Sequence, residues 1–145
     1  MIIRHATIED ALEICSLCCG ELEYECDPTL ILAKLRSIDP AAETVYVAEI
    51  ANEVVGFIYV EKRDSLFYES AAANIIAIAV DSEFRNQGVG RELIKSAERW
   101  SNNNGLSIVV LNEGTIGESA HKYYKVLDFD TGTPQLRLDK RLAAN

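Results

Sequence analysis

The feature that most constrains the fold of this chain is a nearly continuous apolar run at residues 72–80, AANIIAIAV. Such a run is typical of a central strand that is covered on both faces. Because a covered strand needs a packed layer on each side, the run predicts a sheet with helices on both of its faces.

Two helices are predicted ahead of this strand. Thr7 and Asp10 resemble a capping box that opens the first helix. The apolar positions of the first helix are Ile8, Leu12, Ile14 and Leu17. A second helix is expected to follow Pro28 and to end before Pro40. Its apolar positions are Leu30, Ile31, Leu35 and Ile38.

Strand patterns fill most of the remaining chain. Residues 2–5 have the pattern of a first strand, and residues 44–63 predict a β-hairpin with its turn near residues 51–53. Residues 106–112, LSIVVLN, predict another strand, and a last strand is expected around residues 134–142.

Helical patterns return after the apolar run. One helix begins at Gly88 and is stopped by NNNG, and a shorter helix is predicted over residues 119–127. The apolar stripe of the longer helix is formed by Val89, Leu93, Ala97 and Trp100. The chain is therefore predicted to form a single α/β (α+β) domain over residues 1–145, with a curved, mixed, mostly antiparallel sheet flanked by helices on both faces.

Charge and hydropathy narrow the possible partners. The chain has 145 residues, 48% of them hydrophobic, and a net charge of -9, which disfavours binding to nucleic acid or an anionic membrane. It contains no apolar stretch of about 20 residues, so we expect a soluble, cytoplasmic protein. An acidic surface is compatible with a cationic substrate, although it also serves solubility.

Four cysteines crowd into one early segment, at positions 15, 18, 19 and 26. The first two form a C-x-x-C, but no second cysteine pair or nearby histidine accompanies them. Reduced, buried thiols are therefore favoured over a metal or redox site, and no metal is expected.

The most informative short motif follows the apolar run directly. Residues 85–90 read RNQGVG and lead from the end of a strand into the start of a helix, where successive backbone N–H groups favour an anion. A P-loop would need Gly-Lys-Ser/Thr, and a dinucleotide fingerprint would need a third glycine where Leu93 stands. Glycines that only allow close packing at the helix start remain the alternative to an anion site.

Residues 80–100, VDSEFRNQGVGRELIKSAERW, resemble the acetyl-CoA-binding motif of the GNAT superfamily of N-acetyltransferases. Residues 120–129, AHKYYKVLDF, resemble the second signature of the same family. The order of strands and helices predicted above also matches the family over nearly the whole chain.

The resemblance implies an acetyl-CoA co-substrate, a catalytic tyrosine and, at the family level, a homodimer. The implied catalytic acid is Tyr124, while Tyr123 is expected in the core. The implied cofactor-binding residues are Ile78, Ala79, Val80, Arg85, Asn86, Gln87, Gly88, Val89, Gly90 and Asn112. Backbone N–H groups near residues 78–80 could stabilise a developing oxyanion if a bulge frees them from sheet pairing. The implied acceptor-side residues are Glu23, Tyr24, Glu25 and Asn74.

Four positions depart from the family pattern. Asp128 stands where the family usually has a glycine, and Gly117 stands where many members have an asparagine. Asn74 and Ile76 occupy positions where related enzymes often have a glutamate base. The base is therefore sought among Glu21, Glu23, Glu25 and Asp27, in an acidic loop that could equally be only solvated. His5 and His121 are less favoured as bases, because surface histidines are the commoner case.

These inferences favour an acetyl-CoA-dependent N-acetyltransferase that modifies the primary amine of a small, cationic acceptor. A protein N-terminal or lysine acetyltransferase is the enzymatic alternative. A noncatalytic acyl-CoA-binding module is the alternative from another class.

Overall fold

The computed structural model describes residues 1–111, 124, 125, 127, 129 and 138–143. The chain divides into two compact units, Met1–Leu111 and Asn112–Asn145. Asn112, His121 and most of the helix predicted over residues 119–127 lie outside the described residues. That the whole chain forms one domain stays a prediction.

Among the described residues, five strands form one sheet in the order in which they follow along the chain. They are β1 (Ile2–His5), β2 (Glu43–Ile50), β3 (Glu53–Arg63), β4 (Ala72–Val80) and β5 (Val109–Leu111). Neighbours from β1 to β4 pair antiparallel, whereas β5 runs parallel to β4. The prediction of a mixed, mostly antiparallel sheet is confirmed, and the apolar run forms an interior strand beside the middle strand β3.

The β2–β3 hairpin turns at the predicted place. Ala51 and Asn52 connect the strands with φ of +50° and +66°, the left-handed values that a two-residue hairpin turn of type I′ requires at both positions. The turn leaves Val47 opposite Phe57, so both side chains lie on the same face of the sheet.

Helices cover both faces of the sheet, as predicted. The helices are α1 (Ala11–Glu21), α2 (Pro28–Arg36) and α3 (Val89–Asn103). Ile14 and Leu17 of α1 pack with Phe57 on one face. On the other face, the Cα of Gly56 lies so close to α3 that a Cβ there would be 3.2 Å from Val89 Cγ1. Because neighbouring strand residues point to opposite faces, α1 and α3 lie on opposite sides of the sheet.

The apolar positions predicted for the first two helices are not all buried. Ile8, Leu12 and Leu30 are 44%, 66% and 69% exposed. The buried stripe of α1 instead runs through Ala11, Ile14, Cys15 and Leu17, which places Leu12 on the opposite side. Of the last strand expected around residues 134–142, residues 134–137 lie outside the described residues, and residues 138–142 are not in a strand. The run of Asp139, Lys140 and Arg141 interrupts the alternation that a half-buried strand needs.

The predicted capping box of Thr7 and Asp10 is confirmed at the start of the first helical segment. The Asp10 carboxylate accepts a hydrogen bond from the Thr7 N–H at 2.7 Å and two from the Arg4 guanidinium at 2.8 and 2.9 Å. Burial pushes the pKa of Asp10 upward, but the hydrogen bonds from Arg4 and Thr7 outweigh it, so the pKa is lowered. Asp10 therefore stays ionised and ties β1 to the start of α1.

Within the described residues, no helix is both long enough and apolar enough to cross a membrane.

Candidate active site

The segment between β4 and α3 is shaped by two turns. Asp81 follows β4, and its carboxylate accepts a hydrogen bond from the Glu83 N–H at 2.9 Å within a short 3-10 helix, Ser82–Phe84. The chain then enters residues 85–90, which we call the glycine loop. Asn86 and Gly88 both have positive φ, +62° and +82°. The glycine loop therefore enters the left-handed backbone region twice before α3 begins at Val89.

Gly88 is a glycine for conformational reasons. It is the N-cap of α3 in the left-handed region, and a Cβ there would meet no atom within 4 Å. Close packing, the alternative explanation of this glycine, therefore does not apply at Gly88.

The start of α3 presents backbone donors. The first bond of the helix runs from the Glu92 N–H to the Gly88 carbonyl at 3.1 Å. The N–H groups of Val89, Gly90 and Arg91 precede that bond and have no partner inside the helix, as at any helix start. No side chain caps them. These donors and the helix dipole make this end of α3 suitable for a phosphate group.

Arg85 is held by a carboxylate from a distant part of the chain. Glu21, the last residue of α1, forms an ion pair with the Arg85 guanidinium and also accepts a hydrogen bond from the Ser82 N–H at 3.1 Å. The Glu21 side chain is only 16% exposed, whereas that of Arg85 is 59% exposed. Glu21 therefore fastens the glycine loop to the end of α1 and is not a free residue of the acidic loop.

A β-bulge interrupts β4. Tyr59 pairs with Ala77 and Val60 pairs with Ile75, so Ile76 is an extra residue on β4. Ile76 is 42% exposed, although it stands within the most apolar run of the chain. Ile76 lies two residues before Ile78, the first of the residues 78–80 whose N–H groups a bulge was expected to free from sheet pairing.

The bulge determines which backbone groups of β4 are available. The Asp81 N–H donates to the Val55 carbonyl at 2.8 Å, so Asp81 and, two residues earlier, Ala79 turn their polar groups toward β3. The N–H and C=O groups of Ile78 and Val80 consequently point to the other edge of β4. The described pairing of β5 with β4 ends at Ile75, so no described strand occupies that edge beside residues 76–80.

The acidic segment between α1 and α2 contains residues of two kinds. Glu23, Tyr24 and Glu25 are exposed, and Glu23 has a φ of +56° where the chain leaves α1. Asp27 is the N-cap of α2 and accepts hydrogen bonds from the N–H and hydroxyl of Thr29 at 2.9 and 2.7 Å. Those bonds lower the pKa of Asp27, which makes it a helix cap and a weak base.

Two polar features lie on the α1–α2 side of the sheet, and only the second of them, Asn74, was singled out from the sequence. Glu43 is buried at the start of β2, and its carboxylate accepts hydrogen bonds from Lys34 at 2.9 Å and from the Tyr59 hydroxyl at 2.8 Å. Burial and the bond to Glu43 raise the pKa of Tyr59. Asn74 Oδ1 is buried and accepts no hydrogen bond from any described residue. Nothing in the sequence near Glu43 indicates its contacts, whereas Asn74 is one of the acceptor-side residues that the family resemblance implies.

The cysteines near α1 are free thiols. Cys15 donates to the Cys26 carbonyl at 3.3 Å, and burial raises the pKa of Cys15 to about 12. Burial also raises the pKa of Cys18 and Cys26. These thiols stay protonated at neutral pH and are poor nucleophiles. In the described part of the chain, no group of three or more potential ligands could hold a metal ion.

Tyr124 belongs to the second unit. It lies in a helical turn, and its ring meets the edge of Phe129 with the ring centroids 5.8 Å apart. The N–H groups of Leu127 and Phe129 both donate to the Tyr124 carbonyl at 3.0 Å, which ends the turn. Tyr123, like Asn112, lies outside the described residues.

Known proteins resemble this chain in sequence. An uncharacterized N-acetyltransferase of Chlorobaculum tepidum is 27% identical over 83% of this chain and 74% of its own length. N-acetyltransferase 8 of Homo sapiens is 31% identical over 58% of this chain, and the match spans only 37% of that relative's length.

Solved structures share the fold. The aminoglycoside acetyltransferase AAC(6')-Iy, in complex with a CoA-containing bisubstrate analog, superimposes with a TM-score of 0.83 at 19% identity, covering 97% of this chain and 98% of that one. An aminoglycoside acetyltransferase from an uncultured soil metagenomic sample gives a TM-score of 0.78 at 19% identity, covering 98% and 96% of the two chains.

The acetyltransferase (GNAT) family itself matches residues 8–129. The match includes the bulged strand, the glycine loop and Tyr124. Since it extends over most of the sequence and the fold agrees, this chain belongs to the GNAT family of acetyltransferases.

Proposed function

We propose that this protein transfers the acetyl group of acetyl-CoA to the primary amine of a small, cationic acceptor. One observation carries the proposal: the edge of β4 at Ile78 and Val80, which no described strand covers, leads to the N–H groups at the start of α3 that have no partner inside the helix. A row of backbone donors and acceptors that ends at a phosphate site suits an extended amide-containing molecule with a pyrophosphate at one end.

The cofactor side of the site uses mainly backbone groups. In this proposal the N–H groups of the glycine loop hold the pyrophosphate of acetyl-CoA, whose thioester supplies the electrophilic carbonyl. Arg85 adds a charged donor, because a guanidinium has five N–H groups and the bond to Glu21 leaves others available. The polar groups of Ile78 and Val80 bond the cofactor arm and the acetyl carbonyl.

The acceptor must lose a proton before it can attack. A primary amine with a pKa near 10.4 needs roughly 4 to 5 kcal/mol to reach its neutral form at pH 7. Of the four carboxylates considered as bases, Glu21 is ion-paired and Asp27 caps α2. Glu23 and Glu25 are exposed, and we propose that one of them receives the proton directly or through water.

The cationic nature of the acceptor is supported by charge and by fold. The exposed acidic loop attracts cations, and a protein with this fold is an aminoglycoside acetyltransferase, whose name refers to polycationic small molecules. Tyr124 is proposed as the acid that donates a proton to the departing thiolate. Its support is the match to the second family motif.

The proposal is tested by measuring free-thiol release from acetyl-CoA in the presence of polyamines, aminoglycosides, amino acids, aminophosphonates and basic peptides. We expect turnover with one class of small cationic amine and a kcat at least 10-fold lower in Tyr124→Phe, since general acid catalysis contributes at least that much. Tyr68→Phe, at a loop position far along the chain from Tyr124, is the matched control and keeps wild-type turnover.

Three outcomes contradict the proposal in different ways. Turnover of basic peptides alone would identify a protein acetyltransferase. Tight acetyl-CoA binding without turnover of any amine would identify a binding module. Full activity of Tyr124→Phe, with chemistry rate-limiting, would show that another group donates the proton.

A further inference from the structure

Four free thiols come together around the end of α1, and the proposed acetyl transfer uses none of them. Cys15, Cys18 and Cys19 lie on α1, and Cys26 lies in the acidic segment that leads to α2. Residues three and four positions apart share a face of a helix, so Cys15 is a neighbour of both Cys18 and Cys19. The structure adds Cys26 to this cluster, although it lies 11 positions from Cys15 in the sequence.

The backbone after α1 turns back toward the helix and brings Cys26 to Cys15. The N–H groups of Leu22 and Tyr24 both donate to the Cys18 carbonyl, at 3.2 and 3.1 Å, so the turn begins directly at the end of α1. Two residues later, the Cys26 carbonyl accepts a hydrogen bond from the Cys15 thiol at 3.3 Å. This contact places one cysteine of the helix beside one cysteine of the acidic segment.

The side chains of Cys15 and Cys26 also interact with each other. Burial raises the pKa of both thiols, and a hydrogen bond between the two side chains raises the pKa of Cys15 further but holds that of Cys26 lower. Cys15 is buried, whereas Cys26 is half-buried. A small reagent from solvent therefore reaches Cys26 more easily than Cys15, and Cys26 is the better nucleophile of the two.

We propose that Cys15 and Cys26 form a modification site at which a small disulfide, such as oxidised glutathione, introduces a reversible disulfide bond. The Cys26 thiolate attacks one sulfur of the small disulfide, and the thiolate that leaves takes up the proton that Cys26 lost. The Cys15 sulfur attacks Cys26 Sγ in this mixed disulfide, and its proton goes to the second leaving thiolate. Two protein thiols are oxidised, and one small disulfide is reduced to two thiols.

The surroundings of the pair make this exchange slow and its product stable. Burial raises the pKa of Cys15 to about 12 and also raises that of Cys26, so little thiolate is present at neutral pH and the rate increases with pH. A thiol with a raised pKa gains no stabilisation as a thiolate in the reduced protein. Cysteine pairs whose reduced form is not stabilised hold their disulfide more firmly.

The disulfide would close residues 15–26 into a ring. The ring contains Glu21, which holds Arg85, and the exposed Glu23 and Glu25 of the acidic loop. A closed ring has fewer conformations than the open chain, so the modification restricts the segment that carries these carboxylates. The bond itself does not depend on the proposed function of the protein.

The test is made in the Cys19→Ser background, because the exposed Cys19 thiol would react with glutathione on its own. The protein is incubated with oxidised glutathione at pH 7 and at pH 9, and the remaining thiols are alkylated and counted by mass spectrometry. We expect two thiols to be lost with no glutathione retained. The rate should be at least about 10-fold higher at pH 9, and dithiothreitol should restore both thiols.

Three further substitutions in this background identify the two partners. Cys15→Ala should retain glutathione on Cys26, because the second attacking thiol is missing. Cys26→Ala should form no disulfide. Cys18→Ala is the matched control and should form the disulfide at the rate of the background protein. Cleavage after Glu23 and Glu25 places the partners on separate peptides that only the disulfide holds together.

Thermal unfolding shows whether the fold accommodates the bond. Oxidation is expected to raise the Tm of the background protein by about 5–10 °C and to leave that of the Cys26→Ala variant unchanged. A lower Tm after oxidation would show that the fold must distort to form the bond, and it would overturn the site.

Two other outcomes would also overturn the proposal. Thiols that all stay free at pH 9 would show that the pair is inert. A disulfide that persists in Cys15→Ala and is lost in Cys18→Ala would show that Cys26 pairs with Cys18. None of these measurements uses acetyl transfer, so failure of the protein to acetylate any amine leaves this inference intact, and failure of the disulfide leaves the proposed function intact.

Discussion

The two sides of β4 offer different kinds of binding group. Toward α3, the glycine loop offers backbone N–H groups that follow one another in the sequence, from Arg85 to Gly90. Toward α1 and α2, the candidate acceptor groups are side chains from separate segments, namely Asn74, Glu23 and Glu25. The common co-substrate would meet a local backbone structure, and the variable acceptor would meet scattered side chains.

Because of this difference, the side-chain site can change while the backbone site stays the same. A backbone site depends on a few φ angles and on close packing beneath the loop, so most substitutions there damage binding of the co-substrate. A side-chain site can be altered one residue at a time with the fold intact. Glu21 is the residue that connects the two sides, because it extends from the end of α1 to Arg85 and Ser82.

The largest effect is expected at Gly56, which supports the cofactor side from within the sheet. A Cβ at Gly56 would lie 3.0 Å from the Ala79 carbonyl oxygen and 3.2 Å from Val89 Cγ1. Gly56→Ala should cost about 1–3 kcal/mol in free energy of unfolding, as overpacking does, and should displace the first turn of α3. Chemical denaturation and acetyl-CoA titration measure the two effects.

A second substitution checks the cause of the Gly56 effect. Val89→Ala removes one of the atoms that the new Cβ would meet, so the double variant should recover part of the lost stability. If Gly56→Ala is as stable as wild type, the close approach of β3 to α3 does not restrict this position.

The next effect is expected at Gly88, where conformation and not space is limiting. A Cβ meets no atom within 4 Å at either Gly88 or Gly20, but only Gly88 has a positive φ, +82°. Gly88→Ala should therefore weaken acetyl-CoA binding about 10-fold, since the left-handed conformation costs a non-glycine residue about 1–2 kcal/mol. Gly20→Ala, in the last turns of α1, should stabilise the protein by about 0.5–1 kcal/mol. Equal behaviour of the two variants in calorimetry would contradict this difference.

The local structure around the glycine loop could be predicted from the sequence because its signals are local. The apolar run at β4, the turn at Ala51 and Asn52, and the stripe of α3 each specify structure within a few residues. Gly88 stands where the chain adopts a positive φ, so a glycine at this place in the motif indicates a loop. The family resemblance then assigned a ligand to it.

Other features could not be predicted because they depend on contacts between distant residues. Glu21 and Arg85 are 64 positions apart, and nothing near either one in the sequence indicates the ion pair. The bulge at Ile76 has no glycine or polar residue to mark it, and it follows from the register of β3 with β4. The exposure of Leu12 and Leu30 could not be predicted for a related reason, since a helix with several apolar positions does not by itself show which stripe meets the sheet.

The connection between the two sides is tested at Glu21 and Arg85. Arg85→Gln should weaken acetyl-CoA binding about 5-fold, because a charged donor is lost. Glu21→Gln should strengthen it about threefold, because a carboxylate that competes with the pyrophosphate for Arg85 has been neutralised. Isothermal titration at low and high salt compares the two variants and the double variant. Weaker binding in both single variants would instead show that Glu21 holds Arg85 in its binding position.

The smallest effect is expected in the acidic loop itself. Glu23 and Glu25 are exposed, so their attraction for a cationic acceptor is screened by water and salt. The double variant Glu23→Gln, Glu25→Gln should raise the KM of the acceptor about threefold at low salt, and the difference should shrink as salt is added. Glu98→Gln, an exposed charge on α3, is the matched control and should leave KM unchanged.

The rate constant of the same double variant decides whether the loop steers the acceptor or also takes its proton. If one of the two carboxylates is the base, kcat falls together with kcat/KM, and the loss is largest below the pKa of the amine, where most acceptor molecules are protonated. If the loop only attracts the acceptor, kcat is unchanged and salt abolishes the whole difference. If neither KM nor kcat changes at low salt, the acidic loop is merely solvated, and recognition on this side of β4 depends on other groups such as Asn74.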